Sequence, residues 1–226
     1  MGRAEHREQQ MAAILDAARR QLAEKGAAGL SLREVAREVG MVSSAVYRYV
    51  PSREDLLTLL ITTAFDEMGE AVEQADAARR RTDLRGRFRA VGNATRDWAL
   101  AHPHDYALVY GSPVPGYAAP PTTVVPATRV VAVLGGIVVD AAEQGRLVEP
   151  GPGAGRGVRQ AFDLEALAPV MPGVAPALVL RALIAWTDLF GHISLELFGH
   201  FGPVLTDPDR AFALVLDELA DLVGIG

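Results

Sequence analysis

The chain has 226 residues, half of them hydrophobic and 6% aromatic, with 22 Lys/Arg against 28 Asp/Glu and no cysteine. That length can bury a sizeable core in one or two domains, and the absence of thiols excludes disulfide frameworks, thiolate nucleophiles and cysteine-based zinc sites while suiting a reducing cytoplasm. The net charge of −6 argues at first against nucleic acid, but residues 1–60 carry +1 and residues 61–226 carry −7, so the acidic side chains concentrate away from the N-terminal segment.

The N-terminus is polar and charged, with no secretory signal, and residues 1–7 read as a disordered arm. Its Arg3, His6 and Arg7 would otherwise suit contact with phosphate or the minor groove. From about Arg7 to Lys25, Met11, Ile14, Leu15, Ala18 and Leu22 trace a helical stripe that Gly26 closes. Leu32, Val35, Ala36 and Val39 give the next helix one apolar face. Ser31 with Glu34 predicts a capping-box start, and Gly40 a left-handed stop. A second short helix follows from about Ser43 to Val50. Met41, Val46 and Val50 turn toward the preceding helix, leaving Ser43, Ser44, Tyr47, Arg48 and Tyr49 largely outside. Pro51 ends it, and Ser52 with Asp55 predicts another capping box. Two short helices meeting at a glycine corner, with a polar and aromatic outer face, form the pattern of a helix-turn-helix DNA reader.

The helix opening at Ser52 carries a wide stripe of Leu56, Leu57, Leu60, Ile61, Ala64, Phe65 and Met68. Arg53 in its first turn suits a phosphate oxygen or a plain surface position. The arginine run 79–81 reads as a solvated turn. A helix from about Asp83 to Ala101 turns Phe88, Val91, Ala94, Thr95 and Trp98 inward, and His102-Pro103 breaks it. Residues 105–110 suit a further helical turn or two. The Pro/Gly-rich loop 111–121 is too apolar for a free linker. A helix over roughly 122–143 follows; its longest apolar run, Val130 to Val139, is interrupted by Gly135 and Gly136 and falls short of a bilayer span. Gln144 to Gln160 is the most flexible stretch. Two strong helices finish the chain, from about Ala175 to Phe201 and from Pro208 to Val223. The first is apolar almost all round, so one copy cannot cover it, and the pair is expected to meet its own copy on a two-fold axis. With no strand pattern anywhere, the class is all-α.

In its first sixty residues the chain resembles the TetR/AcrR family of one-component transcriptional regulators. The likeness rests on Lys25-Gly26, Ser31-Leu32-Arg33-Glu34-Val35-Ala36, Gly40-Met41, Ala45-Val46-Tyr47-Arg48-Tyr49, Pro51-Ser52-Arg53 and Leu56-Leu57. Val42 departs from the frequent serine or threonine that opens the reading helix, so Ser43 or Ser44 is expected to cap instead. Val50 replaces a phenylalanine and Arg53 a lysine. The resemblance implies a helix-turn-helix domain over 1–51 and an effector-binding and dimerisation domain over 52–226, with about nine to ten helices in all. It further implies that Ser43, Ser44, Tyr47, Arg48 and Tyr49 face the major groove, that Tyr47 and Tyr49 touch mainly sugar-phosphate, and that Arg33 and Arg53 touch phosphate. Residues 103–117 and 186–201 resemble one subgroup of these regulators. The implied partners are a palindromic DNA operator, a small-molecule effector and a second copy bound through the last two helices.

Trp98, Tyr106, Tyr110, Trp186 and Phe190 are the candidates for the effector pocket, because buried Tyr and Trp carry polar tips that need partners; each also suits plain core packing. His192, Glu196 and His200 share a helix face at four-residue spacing, which can hold a metal only with ligands from elsewhere. A Glu–His hydrogen bond or a polar patch accounts for them more simply, so no metal and no cofactor are expected. The leading expectation is a cytoplasmic, dimeric regulator, a repressor that leaves its operator when an apolar or amphipathic effector binds. The alternatives are a small-molecule carrier or enzyme using the same pocket, or a helical protein-interaction module. No phosphate-binding glycine loop and no nucleophile–base pairing supports an enzyme.

Overall fold

The computed structural model describes residues 2–148, 151 and 153–225. Met1, the Arg3 side chain of the N-terminal arm and residues 149, 150 and 152 of the Gln144–Gln160 stretch lie outside the described residues. Among the described residues the regular structure is eleven α-helices, three 3-10 turns and one isolated antiparallel bridge between Leu147 and Ile225, so the chain is all-α. The helices are α1 (Arg3–Lys25), α2 (Leu32–Glu38), α3 (Ser43–Val46), α4 (Arg53–Ala77), α5 (Leu84–Ala101), α6 (Pro103–Tyr110), α7 (Val124–Glu143), α8 (Val158–Ala161), α9 (Leu164–Leu167), α10 (Pro176–Leu197) and α11 (Pro208–Val223). The single-turn helices α8 and α9 account for the excess over the expected number, α9 being capped by the Asp163 carboxylate on the Glu165 and Ala166 amides. The chain groups into two compact units, residues 1–67 with 102–127 and residues 68–101 with 128–226.

The first unit is built around Ile14, Ala18, Leu32, Val35, Val46, Val50, Leu57 and Leu60, all buried. α1 begins earlier than the apolar stripe predicts, because the Glu5 carboxylate accepts the Gly2 amide at 2.7 Å and closes a polar first turn over the expected arm. The capping box expected at Ser31 is not made. Its amide donates to Gln21 Oε1 at 3.1 Å, and the Glu34 carboxylate pairs with Lys25 instead. The cap at Ser52 does form: its hydroxyl accepts the Asp55 amide at 3.0 Å and donates to the Asp55 carboxylate at 2.7 Å. The loop after α6 packs down as its apolar character predicts, with Val114 and Tyr117 against the core and the Tyr117 hydroxyl 2.9 Å from Thr58 Oγ1.

The second unit is held by apolar packing and by arginines of α5. Phe88, Val91, Ile137, Leu189, Ile193, Phe212 and Leu216 lie in its core. α5 and α11 approach so closely at Gly92 that a Cβ there would sit 2.3 Å from Leu216 Cδ2. Arg87, 1% exposed, donates to both oxygens of Asp76 at 2.7 and 3.1 Å and to Asp140 at 2.6 Å, tying α5 to α4 and α7. Arg81 pairs with the same two carboxylates at 3.2 and 3.1 Å, so one arginine of the 79–81 run is engaged rather than simply solvated. Arg96 donates to Glu196 at 2.8 and 2.6 Å and to Asp209 at 2.8 Å, pinning α5 to α10 and α11. By length and apolarity alone, Pro121–Glu143 and Pro176–Leu197 would pass as membrane spans, a property the glycine-interrupted run 130–139 does not suggest by itself.

Candidate nucleic-acid interface and ligand cavity

The corner of the reader depends on Gly40, whose φ of +69° lies in the left-handed region. Beyond it the Met41 amide returns to the Ala36 carbonyl at 2.9 Å. α3 is one turn long, and the Tyr47→Ser43 and Val50→Val46 amide bonds, at 3.2 and 2.9 Å, continue that turn to Val50. Ala45 and Val46 face inward. Ser43, Ser44, Tyr47 and Arg48 are exposed on the same short segment, and Tyr49 is half-buried. Arg33 is exposed on α2. The cap position falls on Val42, which has no side-chain oxygen to offer, and neither Ser43 nor Ser44 takes it over. Val42 is instead 71% exposed, an apolar side chain beside the two serines.

Two arginines behave differently from expectation. The Arg53 guanidinium turns onto protein: Nε donates to the Leu30 carbonyl at 3.3 Å and Nη2 to the Ala27 and Ala28 carbonyls at 2.8 and 3.5 Å. It ties the start of α4 to the turn after α1. Arg7 lies over the ring of Tyr49, 5.6 Å from its centroid, so α1 places a cation beside the end of the reading segment.

The second unit contains a cavity of about 250 Å³ lined by Phe88 of α5, by Thr128, Val131, Leu134, Gly135 and Val138 of α7, by Leu167 and Met171, by Ala182, Leu183, Ala185 and Trp186 of α10, and by Val223. No charged side chain is among them. Gly135 lets the backbone of residues 170–171 close against α7, since a Cβ there would lie 2.5 Å from the Val170 carbonyl oxygen. The Trp186 Nε1–H is buried with no hydrogen-bond partner among the described residues.

Of the five aromatic candidates, Trp186 lines this cavity and Phe190 packs against it, ring centroids 5.6 Å apart. Trp98 is buried on α5 and is not among the lining residues. Tyr106 and Tyr110 belong to the first unit, where their rings lie 5.0 Å apart and Phe65 meets Tyr110 edge-on at 5.9 Å. Burial raises the Tyr110 hydroxyl above its ordinary value. Apart from Thr128, the rest of the wall carries no side-chain nitrogen or oxygen, so aromatic residues with polar ends point to only one of its members. The glycine pair in α7 is the sequence feature that marks it. Glu196 is committed to Arg96, and His192 Nε2 stands 4.0 Å from Glu196, beyond hydrogen-bond reach. The His192 ring packs between Phe201 and Phe212, at 4.9 and 5.4 Å, and burial lowers its pKa. His200 is exposed after α10, so the three residues do not converge.

A glycine-cornered helix pair with a polar outer face, followed by a helical unit that forms a partly open apolar cavity, defines a helix-turn-helix transcriptional regulator. Residues 14–60 match the family of bacterial regulatory proteins of the tetR type, and residues 88–219 match the tetracyclin repressor-like C-terminal domain. Two relatives, HTH-type transcriptional regulators of Mycobacterium tuberculosis and Mycobacterium bovis, are each 42% identical over 93% of this chain and 90% of their own. The crystal structure of the regulatory protein SCO4313 is 32% identical with a TM-score of 0.79, covering 98% of this chain and all of that one. The regulator FadR of Bacillus subtilis, solved with stearoyl-CoA, shares the fold at 15% identity and a TM-score of 0.60, over 92% of this chain and 97% of that one. The chain belongs to the TetR family of transcriptional regulators.

Proposed function

We propose that the protein is a cytoplasmic, homodimeric repressor that leaves a palindromic operator when a small apolar molecule fills the cavity of its second unit. Residues 1–51 act as the DNA-binding domain and residues 52–226 as the effector-binding and dimerisation domain. Ser43, Ser44 and Arg48 meet base edges, while Tyr47, Tyr49 and Arg33 set register on sugar and phosphate. Arg53 acts at one remove, holding the turn after α1, and reaches phosphate only through the nitrogen it leaves over. The observation that carries this reading is the pairing of an exposed polar reading turn with an uncharged, apolar cavity in one chain.

Dimerisation has its own support. Ile184, Leu195 and Phe198 are 40, 44 and 45% exposed, and with Asp188 and Gly191 they form one outward stripe at spacings of four and three. A Cβ on Gly191 would meet nothing within 4 Å, so a second helix has room to approach there. Leu214 of α11 is 60% exposed. A coiled-coil-like seam of this kind fits a copy of itself better than it fits water. The two readers of such a dimer are expected ~34–36 Å apart, or a further multiple of the helical turn.

An effector acts only through unequal affinity for the DNA-competent and incompetent shapes. α4 begins beside the reading segment and carries Asp76 near its other end, which makes it the lever of this proposal. Selection of bound fragments from random DNA by the purified protein tests the whole reading. Two-fold symmetric sequences with a negative dependence of affinity on salt are expected. Asymmetric sequences, or no enrichment at low salt, would count against it.

A further inference from the structure

From the composition of the cavity wall we infer the class of molecule it takes: a neutral, compact, apolar compound of about ten non-hydrogen atoms carrying one hydrogen-bond acceptor for Trp186. This rests on the effector reading above and narrows it. Size comes first. A 150 Å³ apolar cavity holds benzene, so 250 Å³ accommodates roughly ten heavy atoms, below the range of drug-sized sites.

Charge comes next. The lining residues bring no ionised group, and of the arginines next to lining positions in the chain Arg87, Arg89 and Arg129 are paired with carboxylates, while Arg181 donates to the Val148 carbonyl at 3.3 Å. Arg87, next to Phe88, is held by Asp76 and Asp140, and Arg129, next to Thr128, donates to Glu73 at 2.8 and 2.7 Å. The Arg129 pair holds the Glu73 carboxyl below its ordinary range, so that partner stays ionised and bound. A carboxylate or phosphate entering here would lose water without gaining a cation from any lining residue. An acyl chain with an anionic head therefore fits only with its head outside.

The third observation selects the polar atom. Thr128 and Trp186 are the lining residues with nitrogen or oxygen in the side chain, and the Trp186 Nε1–H is a buried donor with no acceptor among the described residues. A donor left unmade in an apolar site favours a ligand that brings an acceptor over an isosteric hydrocarbon. Ketones, lactones and ethers of bicyclic or branched skeletons meet all three conditions. A ligand whose polar atoms are all donors does not.

The test uses the full-length protein and three matched probes: indane, 1-indanone and indane-1-carboxylate. Binding is followed by calorimetry and by the thermal midpoint. 1-Indanone is expected to bind about tenfold more tightly than indane, and indane-1-carboxylate not measurably at neutral pH. Trp186→Phe keeps an aromatic wall while removing the N–H, and should bring the ketone down to within about threefold of indane. Ala182→Phe, checked for folding by circular dichroism, should abolish both. The inference is overturned if the carboxylate binds as well as the ketone, if 1-indanone fails to bind at millimolar concentration, or if Trp186→Phe leaves the preference intact. Release of selected DNA fragments is measured in parallel with the same probes. A ketone that binds at Trp186 without releasing DNA upholds the ligand class and refutes the effector reading. A carboxylate that binds and releases DNA does the reverse.

Discussion

The reader and the cavity unit solve opposite problems with the same kind of residue. In the first unit, apolar side chains of α1, α2 and the turn to Val50 fill a small core, and polar groups are pushed outward onto one short segment. In the second, the apolar residues stop short of filling the interior, and buried arginines of α5 hold the surrounding helices in place. Arginine in the first unit is therefore mostly a surface tool, Arg19 and Arg53 being the exceptions, while Arg87 and Arg96 of the cavity unit are interior struts. A filled core gives a rigid platform for contacts that must keep register. A core with a hole needs polar ties whose geometry does not depend on dense packing.

The sharpest way to break that contrast is at Arg87. Replacing it by Met leaves the Asp76 and Asp140 carboxylates without their buried cation, and a loss of about 3–5 kcal/mol is expected. Denaturant midpoints followed by circular dichroism measure it. The double variant Arg87→Met with Asp76→Asn should recover part of the loss; no recovery would mean that the pair does not act as a unit. This strut illustrates what the sequence conceals. The helices and the glycine corner are legible because periodicity and φ preference are local properties. The partners of Arg87, Arg81 and Arg96 lie on other helices, so a charged run such as 79–89 looks like solvent-facing surface until the helices are assembled. The same limit applies to the site. Ser43, Ser44, Tyr47 and Arg48 could be placed from the inward set Val46 and Val50 alone, but a cavity made of Val, Leu, Gly and Ala looks like ordinary core in one dimension.

Arg53, one of the two exceptions, offers the next effect in size. Its hydrogen bonds to the Leu30, Ala27 and Ala28 carbonyls come from a charged donor, so Arg53→Ala is expected to destabilise the protein by about 1.5–3 kcal/mol. Arg33→Ala serves as the contrast: exposed on α2, it should change stability by less than about 0.5 kcal/mol, while lowering the salt slope of DNA binding by about 1. Unchanged thermal midpoints for Arg53→Ala, with a reduced salt slope, would return Arg53 to the phosphate-binding role that the sequence pattern implies.

Val42 allows a smaller test within the reader. The helix start lacks a capping oxygen, and Val42→Ser supplies one, with an expected gain of about 0.5–1 kcal/mol. A gain in stability accompanied by altered fragment selection would mean that the exposed valine is retained for contact with DNA. A gain with unchanged selection would make it a simple omission of the cap.

The smallest expected effect separates the two units by pH. His192 is held below its ordinary value near 6.5, chiefly by burial and further by the charge of Arg96, while Glu196 pulls the other way. The folded state therefore keeps the ring neutral while the unfolded chain takes up a proton, so stability present above the unfolded value is lost as pH falls through it toward the folded one. Phe201 and Phe212 on either side offer the imidazolium no acceptor. Urea midpoints of the wild type and His192→Gln between pH 7.5 and about 5 should diverge below ~6.5, with the wild type losing more. The difference between the two curves is the quantity to read, because Asp105 in the first unit contributes a slope of opposite sign. Its carboxyl is raised by burial, against the pull of Arg19 at 3.3 Å, and that slope is common to both proteins. Parallel curves would mean that the ring is solvated enough to be protonated equally in both states. In that case the aromatic packing around His192, and not its charge, is what α10 requires.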